Sequence, residues 1–97
     1  MKLESLQLDQ VANSLSIQAQ IDFEQFHLFA EPLAAAMDAR VVERHDGADR
    51  HQWLLIFEGT HMQLNYEFYA DICWLNVENE AEFEVLEYLA GLLRRLL

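Results

Sequence analysis

Four side chains that suit a divalent metal ion occur close together near the middle of the chain. They are His45, Asp46, Asp49 and His51, and imidazole nitrogens and carboxylate oxygens are ligands for zinc and related ions. Their spacing matches no metal-binding motif, and Asp46-Gly47 is a dipeptide that favours a tight turn. The sequence therefore predicts a turn here and no cofactor or metal ion. A metal-dependent enzyme that uses these four residues is a distant alternative.

The candidates for nucleophilic catalysis are a single cysteine and a few serines. A catalytic thiol needs an exposed, electropositive setting with a histidine within reach, whereas Cys73 is predicted to face the core from a strand. Ser5, Ser14 and Ser16 lie outside any Gly-x-Ser-x-Gly elbow. The three glycines are too far apart to form a phosphate-binding loop. No catalytic residue is predicted, and an enzyme is the less favoured class.

The charge balance of the chain is strongly acidic. Seventeen acidic residues against six basic ones give a formal net charge of -11, which opposes binding to phosphate backbones and favours basic partners. Glu80, Glu84 and Glu87 are predicted to share one exposed face of the last helix. This acidic face either complements the helix dipole as an ordinary solvated surface or docks a basic target, as an inhibitor or immunity-type protein would.

Three features of the chain indicate where it resides. The N-terminal segment lacks the apolar run of a secretory signal, and the longest apolar stretches, 53–57 and 33–37, are five residues each, whereas a membrane-spanning helix needs about 20. A lone cysteine fits a reducing compartment. We therefore expect a cytoplasmic protein that neither enters a membrane nor binds nucleic acid.

The periodicity of apolar residues predicts one α+β domain over residues 1–97. Alternation predicts strands at 14–21, 40–45, 51–58, 61–69 and 72–77, with a short one around Leu6 and Leu8. Helical spacing predicts two amphipathic helices, one capped by Asp22 and kinked or broken near Pro32, the other capped by Asn79. The expected fold is an antiparallel β-meander of four to six strands with both helices on one face, in the order β(β)αββββα.

The predicted hairpins divide the residues of the sheet between two faces. Two-residue loops at Gly59-Thr60 and Ala70-Asp71 place apolar residues only on one face, which the helices are expected to cover. The other face carries five large apolar residues, namely Leu54, Ile56, Tyr69, Ile72 and Trp74. Such a face predicts an interface with a second copy or with a protein partner. The alternative is that the N-terminal hairpin, with Leu6 and Leu8, folds over this face and buries it.

Overall fold

Six strands form one antiparallel sheet in the computed structural model, which describes residues 1–97. The strands are β1 (Ser5–Asp9), β2 (Ser14–Gln18), β3 (Arg40–Asp46), β4 (Arg50–Phe57), β5 (Thr60–Glu67) and β6 (Ile72–Asn76). Their order across the sheet is β1-β2-β6-β5-β4-β3. The predicted meander is therefore present as β3 to β6, and the N-terminal hairpin extends it beyond β6. The α+β prediction is confirmed.

Two helices complete the fold, and both begin at the predicted capping residues. A 3-10 turn, Phe23–Gln25, leads into α1 (His27–Ala36), and the carboxylate of Asp22 accepts a hydrogen bond from the Glu24 amide at 3.0 Å. A second 3-10 turn, Glu80–Glu82, leads into α2 (Phe83–Leu93), where the Asn79 side chain caps in the same way. Neither helix is long and apolar enough to cross a membrane.

Pro32 does not interrupt the first helix. A kink or a break was expected because proline lacks the amide proton that bonds to the carbonyl four residues earlier; α1 runs without a break through Pro32 to Ala36. The carbonyl that loses its partner is that of Leu28, a residue that is mostly exposed. Water can therefore replace the missing hydrogen bond, and the continuous helix keeps Ala30 and Leu33 in the core.

The core lies between the two helices and one face of the sheet. Alternate residues of the central strands point into it, since successive side chains of a strand point to opposite faces. Those buried almost completely include Leu15, Ile17, Trp53, Leu55, Met62, Leu64 and Leu75. Leu33 of α1 and Leu86, Leu89 and Leu93 of α2 cover them. Each such side chain contributes about 1.5–3 kcal/mol relative to its exposed state, so this packing fixes which face the helices occupy.

The two central hairpins differ from the predicted ones by a shift of two residues. Phe57 pairs with Thr60, so the β4–β5 loop is Glu58-Gly59, and both loop residues have positive φ, 46° and 83°. That combination is typical of the type I′ turn, whose twist matches that of the flanking strands. Glu67 pairs with Ile72, which makes the β5–β6 loop four residues long. A shift of two preserves the side chains on each face.

The β4–β5 turn offers a direct test of this register. Glu58 adopts a left-handed conformation that costs a residue other than glycine, asparagine or aspartate about 1–2 kcal/mol. We expect Glu58→Asn to raise the free energy of unfolding by roughly 0.5–1 kcal/mol and Gly59→Ala to lower it by about 1 kcal/mol. Urea unfolding measures both. The reverse signs would contradict the turn and the register that follows from it.

Candidate functional site

One face of the sheet is left without a covering element. The N-terminal hairpin does not fold over it, because β2 pairs with β6 and extends the sheet in its own plane, with Leu15 opposite Leu75. Leu6 and Leu8 consequently lie on the core side, and the alternative in which they bury this face is wrong. We call this surface the open face and define it by the outward-facing residues of four strands: Ser14, Ser16, Gln52, Leu54, Ile56, Gln63, Asn65, Trp74 and Asn76.

A row of side-chain amides crosses the middle of the open face. Gln52 donates from its Nε2 to Asn65 Oδ1 at 3.0 Å and to Gln63 Oε1 at 3.3 Å. Asn65 in turn donates to Asn76 Oδ1 at 2.8 Å and to the backbone carbonyls of Gln63 and Trp74 at 3.2 and 3.3 Å. We call these four residues the amide ladder. It links β4, β5 and β6, and it leaves Asn65 only 3% exposed.

The apolar residues of the predicted interface lie on either side of the ladder. Leu54 and Ile56 are half-buried on β4, and Trp74 is half-buried on β6 with Ile72 more exposed beside it. Tyr69 does not belong to this face, since it lies in the β5–β6 loop and is 85% exposed. The open face is therefore a strip of amides flanked by two small apolar areas. The sequence pattern alone had implied a more continuous apolar patch.

The centre of the open face carries no charge. Charged residues lie at its margin, where Arg50 bonds to Glu67, His45 lies 3.0 Å from Glu43, and Arg40 lies opposite Ile56. The Arg50–Glu67 pair joins β4 to β5, and the other three residues lie on β3. In a chain with a net charge of -11, acidic residues are thus absent from the centre of this surface.

A concave pocket of about 390 Å³ lies at one edge of the open face. It is lined by Leu54, His61, Gln63, Asn76, Glu78 and Glu82. Glu78 and Glu82 come from the segment that leads from β6 into α2, and neither has a cationic side chain within 4 Å. Sequence reasoning missed these two residues. The sequence shows that Glu78 directly follows Val77, the last residue of the predicted strand 72–77. It does not show that Glu78 and Glu82 lie beside the open face.

The predicted acidic docking face lies elsewhere. Glu80, Glu84 and Glu87 are all exposed and have no cationic partner. Glu84 and Glu87 belong to α2, which packs its buried residues on the core side of the sheet. They do not line the pocket, so the acidic face of α2 and the open face are separate surfaces.

The histidines and aspartates around the β3–β4 turn are not arranged around a common point. Asp46 Oδ1 accepts hydrogen bonds from His51 Nδ1 at 2.7 Å and from Trp53 Nε1 at 2.8 Å. His45 bonds instead to Glu43 on the open side of the sheet, and Asp49 lies in the turn. Across residues 1–97, no group of three or more histidine, cysteine, aspartate and glutamate side chains is placed to hold a metal ion.

His51 acts as a buried structural link. It is 7% exposed and packs against the rings of Phe23 and Phe26, at centroid distances of 4.1 and 4.7 Å. Its Nε2 is 2.8 Å from the backbone oxygen of Phe23, while its Nδ1 contacts Asp46. Both ring nitrogens therefore face oxygen atoms of other segments. His51 thus joins β4 to β3 and to the turn before α1.

The environment of Asp46 favours its charged form. Partial burial raises the pKa of this carboxyl, but hydrogen bonds from Trp53 and His51, together with the positive charge of His51 and Arg44, outweigh that effect. The pKa of Asp46 therefore lies below its ordinary value of 3.8. The carboxylate consequently serves to hold His51 and Trp53 in place.

The remaining perturbed groups face the core. Burial and a 2.6 Å hydrogen bond to Asp71 raise the pKa of Tyr66 to about 12. Burial likewise raises the pKa of the Cys73 thiol, which is opposite Tyr66 on the next strand. A thiol that stays protonated and is shielded from solvent is a poor nucleophile. Cys73 is accordingly a core residue, as its place in the strand predicted.

These features describe a small α+β fold with one packed sheet face and one open face whose centre is uncharged. A family model described as protein of unknown function (DUF3630) matches residues 3–94. The chain therefore belongs to this family, and the match spans all six strands and both helices. No curated protein and no solved structure matches the chain.

The Asp46 cluster predicts how stability depends on pH. Because the folded state lowers the pKa of Asp46, its contribution is present above the unfolded value near 3.8 and is lost as pH falls through the folded value. We expect Asp46→Asn to cost about 1 kcal/mol at neutral pH, and the difference from the wild type to shrink as the pH falls below 3.8 and through the lowered pKa of the folded state. Urea unfolding at neutral and at acidic pH measures it. A difference that stays constant across that range would contradict the cluster.

Proposed function

We propose that this protein is a non-catalytic interaction module that binds the surface of another protein through the open face. The observation that carries the proposal is a sheet face without covering elements and with an uncharged centre, in a chain with a net charge of -11. The centres of protein interfaces are depleted in charged residues. The solvated face of an antiparallel sheet is normally polar, whereas this one also carries Leu54, Ile56 and Trp74.

The amide ladder supports docking for an energetic reason. Burying a polar group costs free energy when it loses its hydrogen bonds to water without replacement. The donors of Gln52 and Asn65 already have partners within the protein, so covering them sacrifices little. Their hydrogen bonds also hold these side chains in one arrangement, which reduces the entropy lost on association.

The size of the open face suits a modest protein interface. Six strands about 4.8 Å apart make the sheet roughly 24 Å wide, and strands of five to eight residues are roughly 17–26 Å long. The projected area of the whole outer side of the sheet, which includes the margin strands β1 and β3, is on the order of 500 Å², compared with about 800 Å² per partner in a standard interface. A partner that covers it would therefore form an interface smaller than the standard size, in the range of weak or transient complexes.

Two other occupants or surfaces are the alternatives. A second copy of the chain can stack its own open face on this one, because two sheets pack about 10 Å apart with interdigitating side chains. An inhibitor or immunity-type protein would instead use the exposed acids Glu80, Glu84 and Glu87 against a basic target. Sedimentation equilibrium of the purified protein separates self-association from binding to a different protein.

The proposal predicts that Trp74 is essential for binding. A photo-crosslinking residue in place of Ser16, next to Trp74 across the β2–β6 pair, should form discrete protein adducts in cells that make the protein. Trp74→Glu should reduce these adducts at least roughly tenfold, since it puts a charge into the centre of the interface. Leu28→Glu is the control, because Leu28 is exposed on α1.

The adducts should also depend on where the crosslinking residue is placed. Val11 is fully exposed in the β1–β2 turn and lies outside the open face. The photo-crosslinking residue placed at position 11 should therefore give no specific adduct. Circular dichroism and urea unfolding verify that each variant folds. Adducts that persist in a folded Trp74→Glu variant, or that arise equally from position 11, would contradict the proposal.

A further inference from the structure

The two edges of the sheet differ in how they are protected from further strand pairing. β3 forms one edge and has a β-bulge at Val42, where its register with β4 shifts. It also carries the charged or ionisable residues Arg40, Glu43, Arg44 and His45. β1 forms the other edge without a bulge, a proline or a lysine, and its one charged residue, Asp9, lies at its end. Bulges, prolines and charges keep edge strands from pairing with another chain, so β3 is protected and β1 is not.

The outer edge of β1 presents backbone groups that another strand can satisfy. β1 pairs only with β2, so the backbone N–H and C=O groups along its other edge have no strand partner. Its five residues are an ordinary length for a paired strand. An extended segment that adds to this edge would gain main-chain hydrogen bonds, as in β-strand addition. The chemistry of the edge therefore selects a strand as its occupant.

The side chains of β1 match those of a second β1 strand placed antiparallel to it. When Gln7 lies opposite Gln7 of a second copy, Leu6 lies opposite Leu8 on the core side of the sheet. Both leucines are half-buried at the end of the core, so these cross-strand pairs would extend the core from one copy into the other. Asp9 then lies opposite Ser5, so the register brings no two acids together despite the net charge of -11.

We propose that this protein forms a two-fold symmetric dimer in which the β1 strands of two copies pair antiparallel, with Gln7 at the axis. The combined sheet has twelve strands, six from each copy, and the helices of both copies lie on the same side of it. Such an interface is isologous, because the same segment of each copy meets itself. The edges that remain are the two protected β3 strands, so association ends at the dimer. This dimer uses the edge of the sheet and does not rest on the proposed function.

The dimer would enlarge the surface that the sheet offers to a partner. The outward residues Ser5 and Gln7 of β1 are uncharged, as are Gln18 and Ser16 opposite them on β2, so the open face continues to this edge without a charged margin beside them. The outer side of one sheet has a projected area on the order of 500 Å², whereas that of the joined sheets is about 1,000 Å², compared with about 800 Å² per partner in a standard interface. The dimer thus supplies the area that one copy lacks.

The register is tested by charges placed at the two-fold axis. Gln7→Lys puts two ammonium groups opposite each other, which opposes pairing even though it reduces the net negative charge of each chain. Sedimentation equilibrium of the full-length wild type over a wide concentration range should show a monomer–dimer equilibrium, and the variant should dimerise at least roughly tenfold more weakly. Gln25→Lys is the matched control, because Gln25 is exposed in the 3-10 turn before α1. A wild type that stays monomeric, or equal dimerisation of the two variants, would overturn the inference.

A mixture of opposite charges tests whether position 7 of each copy meets position 7 of the other. Gln7→Glu alone should dimerise as weakly as Gln7→Lys, because it places two carboxylates at the axis. An equimolar mixture of the two variants should associate at least roughly tenfold more tightly than either variant alone, since opposite charges then face each other. Circular dichroism verifies that each variant is folded. A mixture that associates no better than its components would overturn the inference.

The same measurement separates pairing at the edge from stacking of two open faces. Trp74→Glu changes the open face and should leave the dimer unchanged. Dimerisation that is lost in Trp74→Glu and kept in Gln7→Lys would overturn the inference, because the open faces would then form the contact. The paired segment ends at Asp9, so the crosslinking control at Val11, in the β1–β2 turn, lies outside this interface as well.

Discussion

The structure depends on one constraint: two short helices cover only one face of a six-stranded sheet. The apolar side chains of the central strands occur at alternate positions, so they collect on a single face, and both helices bury their own apolar residues against it. Every remaining strand, including the N-terminal hairpin, is used to widen the sheet. No element is left for the second face, which must therefore be compatible with water.

The amide ladder makes the second face compatible with water without charged side chains. Gln52 and Asn65 donate to side-chain oxygens of Gln63, Asn65 and Asn76 across three strands, so the face can be solvated in the free protein and these two donors can be covered at small cost in a complex. Leu54, Ile56 and Trp74 add apolar area on either side of the ladder. The other polar cluster has a different task, since Asp46 and His51 hold the β3–β4 hairpin to the turn before α1. Residue types that suit a metal site are used here to fix the fold.

Local patterns were enough to predict the fold, but not the contacts between distant segments. Alternation in β4 and β5 assigned Trp53 and Leu64 to the core face even though the turn was misplaced, because a shift of two residues leaves both faces intact. Tyr69 was misassigned, since the length of the β5–β6 loop depends on register. The His51 link joins residues 28 positions apart, and the Glu78 pocket requires knowing that the start of α2 lies beside the open face. Neither relation is encoded in spacing along the chain.

The two tryptophans report on the two faces separately, because Trp53 is 1% exposed on the core face and Trp74 is half-exposed on the open face. The most direct test of the central claim, that one face is packed and the other is free to dock, is the broadening of their indole N–H signals by a soluble paramagnetic probe in dilute protein. The account predicts strong broadening for Trp74 and little for Trp53. Protection of both signals at the lowest measurable concentration would show that the open face is already covered and would contradict the account.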